Sequence, residues 1–263
     1  MSATPVTTAV AQRVPDPPQY SWRSVLAIWL AATLPMGIAA WVVAPAFARP
    51  AEGELALLQP LVIALTAGLV WQAAIVAFLV RRETGTWAWP AVRRALWLVR
   101  PRSPRSGRVG GRVWLMLLPA LVVLFLLQAI PVPPAPAGRD LSAILQSAAG
   151  AEFFLGNWAW FALIVLMLLA NTVVGEELLF RGLLLPRMQR IGGRFAWALN
   201  LLLFALYHVH QPWTMANVLV SSTVFTFTTQ RYRSAWFGIA THSLQTVVAT
   251  VLLLGLVTGA LRI

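Results

Sequence analysis

Residues 171–182 read Asn171-Thr-Val-Val-Gly-Glu-Glu-Leu-Leu-Phe-Arg-Gly182: two adjacent carboxylates and a guanidinium inside an otherwise apolar run. The run extends over about residues 157–188, longer than the roughly 20 residues that cross a hydrocarbon core. A charged side chain at mid-bilayer depth costs about 2.5–3.5 kcal/mol on insertion scales, so such a group is a functional candidate by default. Outward from this run, further apolar stretches lie at about 24–48, 56–80, 113–130, 195–212, 214–230 and 235–259. The reading is an all-α, polytopic transmembrane helical bundle of about seven spans.

Composition supports it. Of 263 residues, 59% are hydrophobic and 11% charged, against roughly 25% charged in a soluble domain. The chain cannot cover a water-facing surface of its own size. Net charge is +12, yet all 20 basic residues are Arg, and nine of them fall between Arg81 and Arg112. That clustering fits a cytoplasmic loop facing anionic headgroups and argues against a nucleic-acid partner. Thirteen Trp fit anchoring at the membrane interface. The absence of Cys excludes disulfides, thiol catalysis and Cys-ligated metal.

Three regions are expected: a polar, disordered or interfacial lead over 1–22, an N-terminal transmembrane region over 23–154 with the basic loop 81–112, and a core over 155–263. Ala46-Phe47-Ala48 resembles a signal-cleavage site, but the preceding apolar stretch is too long for a signal peptide and is read as a retained helix. Trp87–Leu98 reads as an interfacial segment. The Arg bias puts the N-terminus, 81–112, 187–194 and 231–233 in the cytoplasm, and 49–55 and 131–154 outside. A multi-pass protein of a bacterial plasma (inner) membrane is expected, with lipid and a membrane-associated peptide or protein substrate as partners.

Asp16, Glu52, Glu54, Glu83, Asp140 and Glu152 sit in loops or at span ends. Glu176 and Glu177 do not. Helical neighbours point about 100° apart, so the pair is not expected to share one cavity centre. Glu177 and Arg181 are spaced i,i+4 in the favourable ion-pair order, which leaves Glu176 available for chemistry. Asn200, Phe204 and His208 form one helical stripe. His242 shares a face with Gln245 and Thr246. His210 projects away from His208 and is read as interfacial. At 1.5 Å rise per residue, Glu176, His208 and His242 fall at similar depths. A carboxylate and an imidazole near one water make a general base; a second imidazole with an amide or hydroxyl can stabilise an oxyanion. This suggests amide hydrolysis within the membrane. The same three residues could bind Zn²⁺ instead, or couple protons in a transporter, although no internal repeat is visible.

These residues resemble the CPBP family of intramembrane proteases, also called the CAAX-protease and bacteriocin-processing (Abi) family. Glu176-Glu177-Leu-Leu-Phe-Arg181 matches its EExxxR motif, and Phe204-Ala-Leu-Tyr-His208 its FxxxH motif. His242-Ser-Leu-Gln-Thr246 stands where HxxxN is usual. The resemblance covers about 155–255. It implies a glutamate-type membrane endopeptidase needing no cofactor, with Glu176 and His208 activating water and His242 and Thr246 forming the oxyanion site. Glu177, Arg181 and Phe204 would support them, with Gln245 or Asn217 as substitutes for the missing Asn. A non-catalytic immunity or scaffold protein of the same fold is the other reading that the Thr246 departure allows. Bacterial composition argues against prenylated substrates.

Overall fold

The computed structural model describes residues 17–127, 133–136 and 138–261. Most of the expected lead over 1–22, together with Asp16, Pro131 and Arg262, lies outside them. The chain is a helical membrane bundle, and among the described residues extended pairing is limited to one bridge, Arg102 with Val109. The principal helices are α1 (Trp22–Ala46), α2 (Leu58–Thr84), α3 (Trp89–Ala95), α4 (Gly111–Leu127), α5 (Trp158–Arg187), α6 (Ala196–Tyr207), α7 (Met215–Tyr232) and α8 (Ala235–Thr258).

Each boundary has a local cause. Ser21 caps α1, its hydroxyl accepting from Ser24 N at 3.2 Å. Gly85, at φ +67°, closes α2 in the left-handed conformation that glycine adopts without a Cβ penalty. Pro212 follows α6 and prevents its continuation, so His208–His210 forms a tight turn. The residues before α1 are not loose where they are described: Tyr20 N donates to Arg187 O at 2.9 Å, and Gln19 Nε2 to Pro186 O at 3.0 Å.

Helices α1, α2, α5 and α8 are long and apolar enough to cross a membrane, and α4 is a shorter apolar helix. The expected spans at 195–212 and 214–230 take a different form. The turn after Tyr207 cuts α6 to 12 residues. Helix α7 spends its polar residues inward, burying Ser221, Ser222, Thr226 and Thr229 against its neighbours. Residues 128–130 of the expected 113–130 span lie outside the described residues.

Helix α5 is central, packed against α2, α6 and α8. From Ala170 to Leu184 its hydrogen bonds span five residues rather than four; Leu185 N, for example, donates to Phe180 O. The helix therefore continues through Gly175 and Gly182, in widened turns of a kind that gathers at functional sites. Gly182 lets another chain segment approach, since a Cβ there would lie 3.1 Å from Leu96 O. Exposed Leu34, Ile38, Val70, Phe78, Leu166 and Val251 leave the outside apolar, as a lipid solvent requires. Several tryptophans do more than anchor: Trp29, Trp41 and Trp71 donate their indole N–H to Leu203 O, Val209 O and Ala31 O at 2.7–2.8 Å, tying α1 to α2 and α6.

Candidate active site

The widened turns of α5 decide where the two glutamates point. Each residue turns through less than the ordinary helical angle, so Glu176 and Glu177 diverge less than α-helical geometry predicts. His242 on α8 meets both. Its Nδ1 lies 3.1 Å from Glu177 Oε1, and its Nε2 lies 3.5 Å from Glu176 Oε2. Only Glu176 lines the cavity, while Glu177 is fully buried against Arg181, as the spacing predicts; what the spacing does not reveal is that His242 bridges the two carboxylates. His208 Nε2 completes the group at 3.8 Å from Glu176 Oε1. Glu176, His208 and His242 are all buried.

The surroundings fix these side chains. His208 Nδ1 is 2.8 Å from Phe204 O; a proton donated there leaves Nε2 with a free lone pair directed at Glu176. Arg181 pairs with Glu177 at 3.3 Å and donates through Nη2 to Thr226 Oγ1 at 2.8 Å. Its guanidinium lies over the Phe204 ring at 3.9 Å and near Phe225 at 4.7 Å. Phe225 stacks on His242 at 4.8 Å, and Phe204 meets His208 edge-on at 4.9 Å. The aromatic residue of Phe204-x-x-x-His208 is thus a spacer between a buried cation and two imidazoles. Asn200, from the same stripe, turns aside and donates to Phe180 O at 2.9 Å.

A cavity of about 350 Å³ opens from this group. Glu176, His208 and His242 line its inner part. Apolar residues of α1 and α2, among them Met36, Leu58, Val62 and Leu69, form one wall. Arg139 and Asp140 line it on the connection between α4 and α5, at the end of the bundle remote from the arginine-rich loop. Arg139 is held there by Ala40 O at 3.1 Å and by stacking over Trp41 at 4.2 Å.

The other sequence candidates divide. Gln245 and Asn217 line the cavity. Thr246 does not: it is buried, with its hydroxyl 2.6 Å from that of Thr172. His210 does not project away from His208. It is buried, lines the cavity and stacks on His208 at 5.4 Å with ring planes 25° apart. The projection that sent it away assumed a helix that has already ended at Tyr207; Gln211-Pro212 was the available signal.

Two polar residues went unnoticed in the sequence. Asn171 lines the cavity together with Glu176. Gln72, fully buried on α2, donates to Tyr207 Oη at 2.7 Å beside the site. The position of Asn171 five residues before Glu176 is a readable signal once wide turns are allowed. Gln72 offers none beyond being a lone amide in an apolar run.

Among the described residues no group of three or more His, Cys, Asp or Glu side chains has an arrangement suited to a metal ion. Glu176, His208 and His242 remain the donor set that a zinc reading would use, with their nitrogens 3.5–3.8 Å from the Glu176 oxygens.

Residues 157–248 match the family model described as type II CAAX prenyl endopeptidase, Rce1-like, which supports assignment to the CPBP/CAAX proteases. The matched stretch contains Glu176, Glu177, Arg181, Phe204, His208, His242 and Thr246. No curated protein and no solved structure matches the chain.

Proposed function

We propose that this chain, whose residues 157–248 match the CAAX-protease family model, is an intramembrane endopeptidase that hydrolyses peptide bonds of membrane-associated proteins or peptides with a water activated by Glu176 and His208. The observation that carries the reading is the meeting of one carboxylate and two imidazoles from three helices on the inner wall of a buried cavity.

The chemistry follows from the contacts. A water between Glu176 and His208 gives up a proton to this pair, and its oxygen adds to the scissile carbonyl carbon. The carbonyl oxygen becomes an oxyanion. His242, with the Gln245 or Asn217 amide, stabilises it. The tetrahedral species collapses as the stored proton passes to the leaving amine. Glu177 holds His242 through Nδ1, and Arg181 balances Glu177. The reading assigns no cofactor. The apolar wall from α1 and α2 favours an apolar stretch of substrate. The arginine-rich end lies in the cytoplasm of a bacterial cell by the positive-inside rule, so the cavity opens toward the other face.

The test is cleavage of a membrane-tethered fluorogenic peptide by purified protein in proteoliposomes. Glu176→Gln is expected to abolish cleavage while leaving the melting temperature near that of the wild type, because an amide cannot take the proton of water. Glu176→Gln that cleaves at the wild-type rate overturns the reading.

A further inference from the structure

A second cleft, of about 480 Å³, lies at the opposite end of the bundle from the mouth of the active-site cavity. Five arginines line it: Arg93 and Arg94 from α3, Arg100 and Arg102 from the following strap, and Arg233 from the α7–α8 turn. Among the described residues no acidic side chain lines it, and none pairs with these arginines. Concentrating five like charges costs free energy unless an anion occupies the space between them.

The cleft is built into the fold. Its strap is bonded along the α7–α8 turn: Ala235 N donates to Trp97 O at 2.8 Å, Ser234 Oγ to Val99 O at 2.6 Å, and Arg102 N to Tyr232 O at 2.8 Å. The Arg100 stem lies over Gly110, where a Cβ would come within 3.3 Å of it, and Arg102 lies beside Gly107. Gln189 and Pro186, at the end of α5, close another side. Trp87, just before α3, and Trp89, its first residue, are exposed, a placement suited to headgroup depth. Basic pockets between helix ends on the cytoplasmic side suit phosphate headgroups, and the anionic lipids of that leaflet supply them.

We propose that this cleft binds the phosphate headgroup of an anionic phospholipid. The ligand chemistry is a phosphate ester contacted by several guanidiniums, whose planar forks match phosphate oxygens. The lipid is favoured over a soluble phosphate because the cleft lies at the level of the exposed tryptophans, where the acyl chains can pass onto the apolar outer surface. A bound headgroup would bridge α3, the strap, the end of α5 and the start of α8, the last two being the helices that carry Glu176 and His242.

The experiment is native mass spectrometry of the full-length protein, released from nanodiscs containing phosphatidylglycerol and an excess of phosphatidylcholine. The wild type is expected to retain one phosphatidylglycerol in preference to phosphatidylcholine. Each basic side chain near an anionic surface contributes roughly a fivefold gain in affinity, so Arg93→Gln/Arg100→Gln/Arg102→Gln should weaken retention by roughly a hundredfold. The matched variant Arg105→Gln/Arg108→Gln/Arg112→Gln removes the same charge outside the cleft and should retain lipid as the wild type does. Where the first triple variant is not monodisperse, Arg93→Gln alone, on an exposed position of α3, should lose roughly fivefold. Equal losses in the two triple variants, or equal retention of both lipids, overturn the proposal in favour of diffuse surface charge. Displacement of the lipid by millimolar glycerol phosphate overturns the lipid assignment in favour of a soluble anion. Since the readout is bound lipid, its failure is separable from a failure of the protease reading.

Discussion

The position four residues after His242 is where this chain departs from the family pattern, and its surroundings give the departure a physical meaning. Thr246 is engaged with Thr172 between α5 and α8 and is absent from the cavity lining, whereas Gln245 lies in it. On the proposed mechanism, the oxyanion donor on α8 beside His242 would then be the Gln245 amide, one residue earlier. Thr246→Val is expected to behave as a packing mutant. It removes a buried hydrogen bond and leaves the Thr172 hydroxyl unsatisfied, a cost of about 1–3 kcal/mol in stability with kcat unchanged. Gln245→Leu should lower kcat by roughly 10²–10³, the worth of one oxyanion donor, with little change in KM. Steady-state kinetics on the same tethered peptide, beside thermal unfolding in detergent, separate the two. A fall in kcat for Thr246→Val with normal kinetics for Gln245→Leu would return the oxyanion role to the threonine.

At the scale of elements, the fold class and the convergence of Glu176, His208 and His242 were legible because ionisable residues are conspicuous in apolar runs and their depths follow from counting along helices. Angular positions were less legible, because regular α-helical turns are lost in α5 and at the end of α6. The five-residue hydrogen bonding of α5 leaves no mark in composition, so Glu177 looked like a purely structural partner of Arg181 and Asn171 went unread. His210 was misjudged because α6 stops at Tyr207. The wide turns also push the Glu177 carboxylate against α8, and Gly238 makes the space for it: a Cβ there would lie 2.1 Å from Glu177 Oε2 and 2.9 Å from Thr229 Oγ1. Gly238→Ala, although neutral or favourable for an isolated helix, is expected to destabilise the protein by about 1–3 kcal/mol through overpacking. It should also lower activity by shifting Glu177 from His242. A melting temperature and cleavage rate equal to those of the wild type would mean that α5 and α8 can separate freely, contrary to the packing described.

At the scale of the whole molecule, the two ends of the bundle are held differently. The cavity end depends on tryptophan ties and on the Arg139–Trp41 contact, while the arginine-rich end is locked by an ion pair between a buried arginine and a partly buried glutamate. Arg187, fully buried at the end of α5, pairs with Glu83 at the end of α2 through Nε at 3.0 and 3.1 Å and also through Nη2. Its Nη1 donates to Ala95 O at 2.9 Å and Leu183 O at 2.8 Å, and Tyr20 Oη donates to Glu83. One guanidinium thus joins α2, α3, α5 and the segment before α1. Sequence alone placed Glu83 in a loop, since nothing local marks a partner 104 residues away. Breaking such a pair strands a buried charge, so Glu83→Gln or Arg187→Met should each cost about 3–5 kcal/mol, whereas replacing both partners by apolar groups of similar size is often neutral or stabilising. Glu83→Leu/Arg187→Met should therefore unfold at a higher temperature than either single variant, though the two carbonyls that lose Nη1 keep it from exceeding the wild type. Thermal unfolding of the four proteins in one detergent completes the cycle. A double variant as damaged as the sum of the two singles would mean that Arg187 acts mainly through the Ala95 and Leu183 carbonyls, and that Glu83 does not hold α2 to α5.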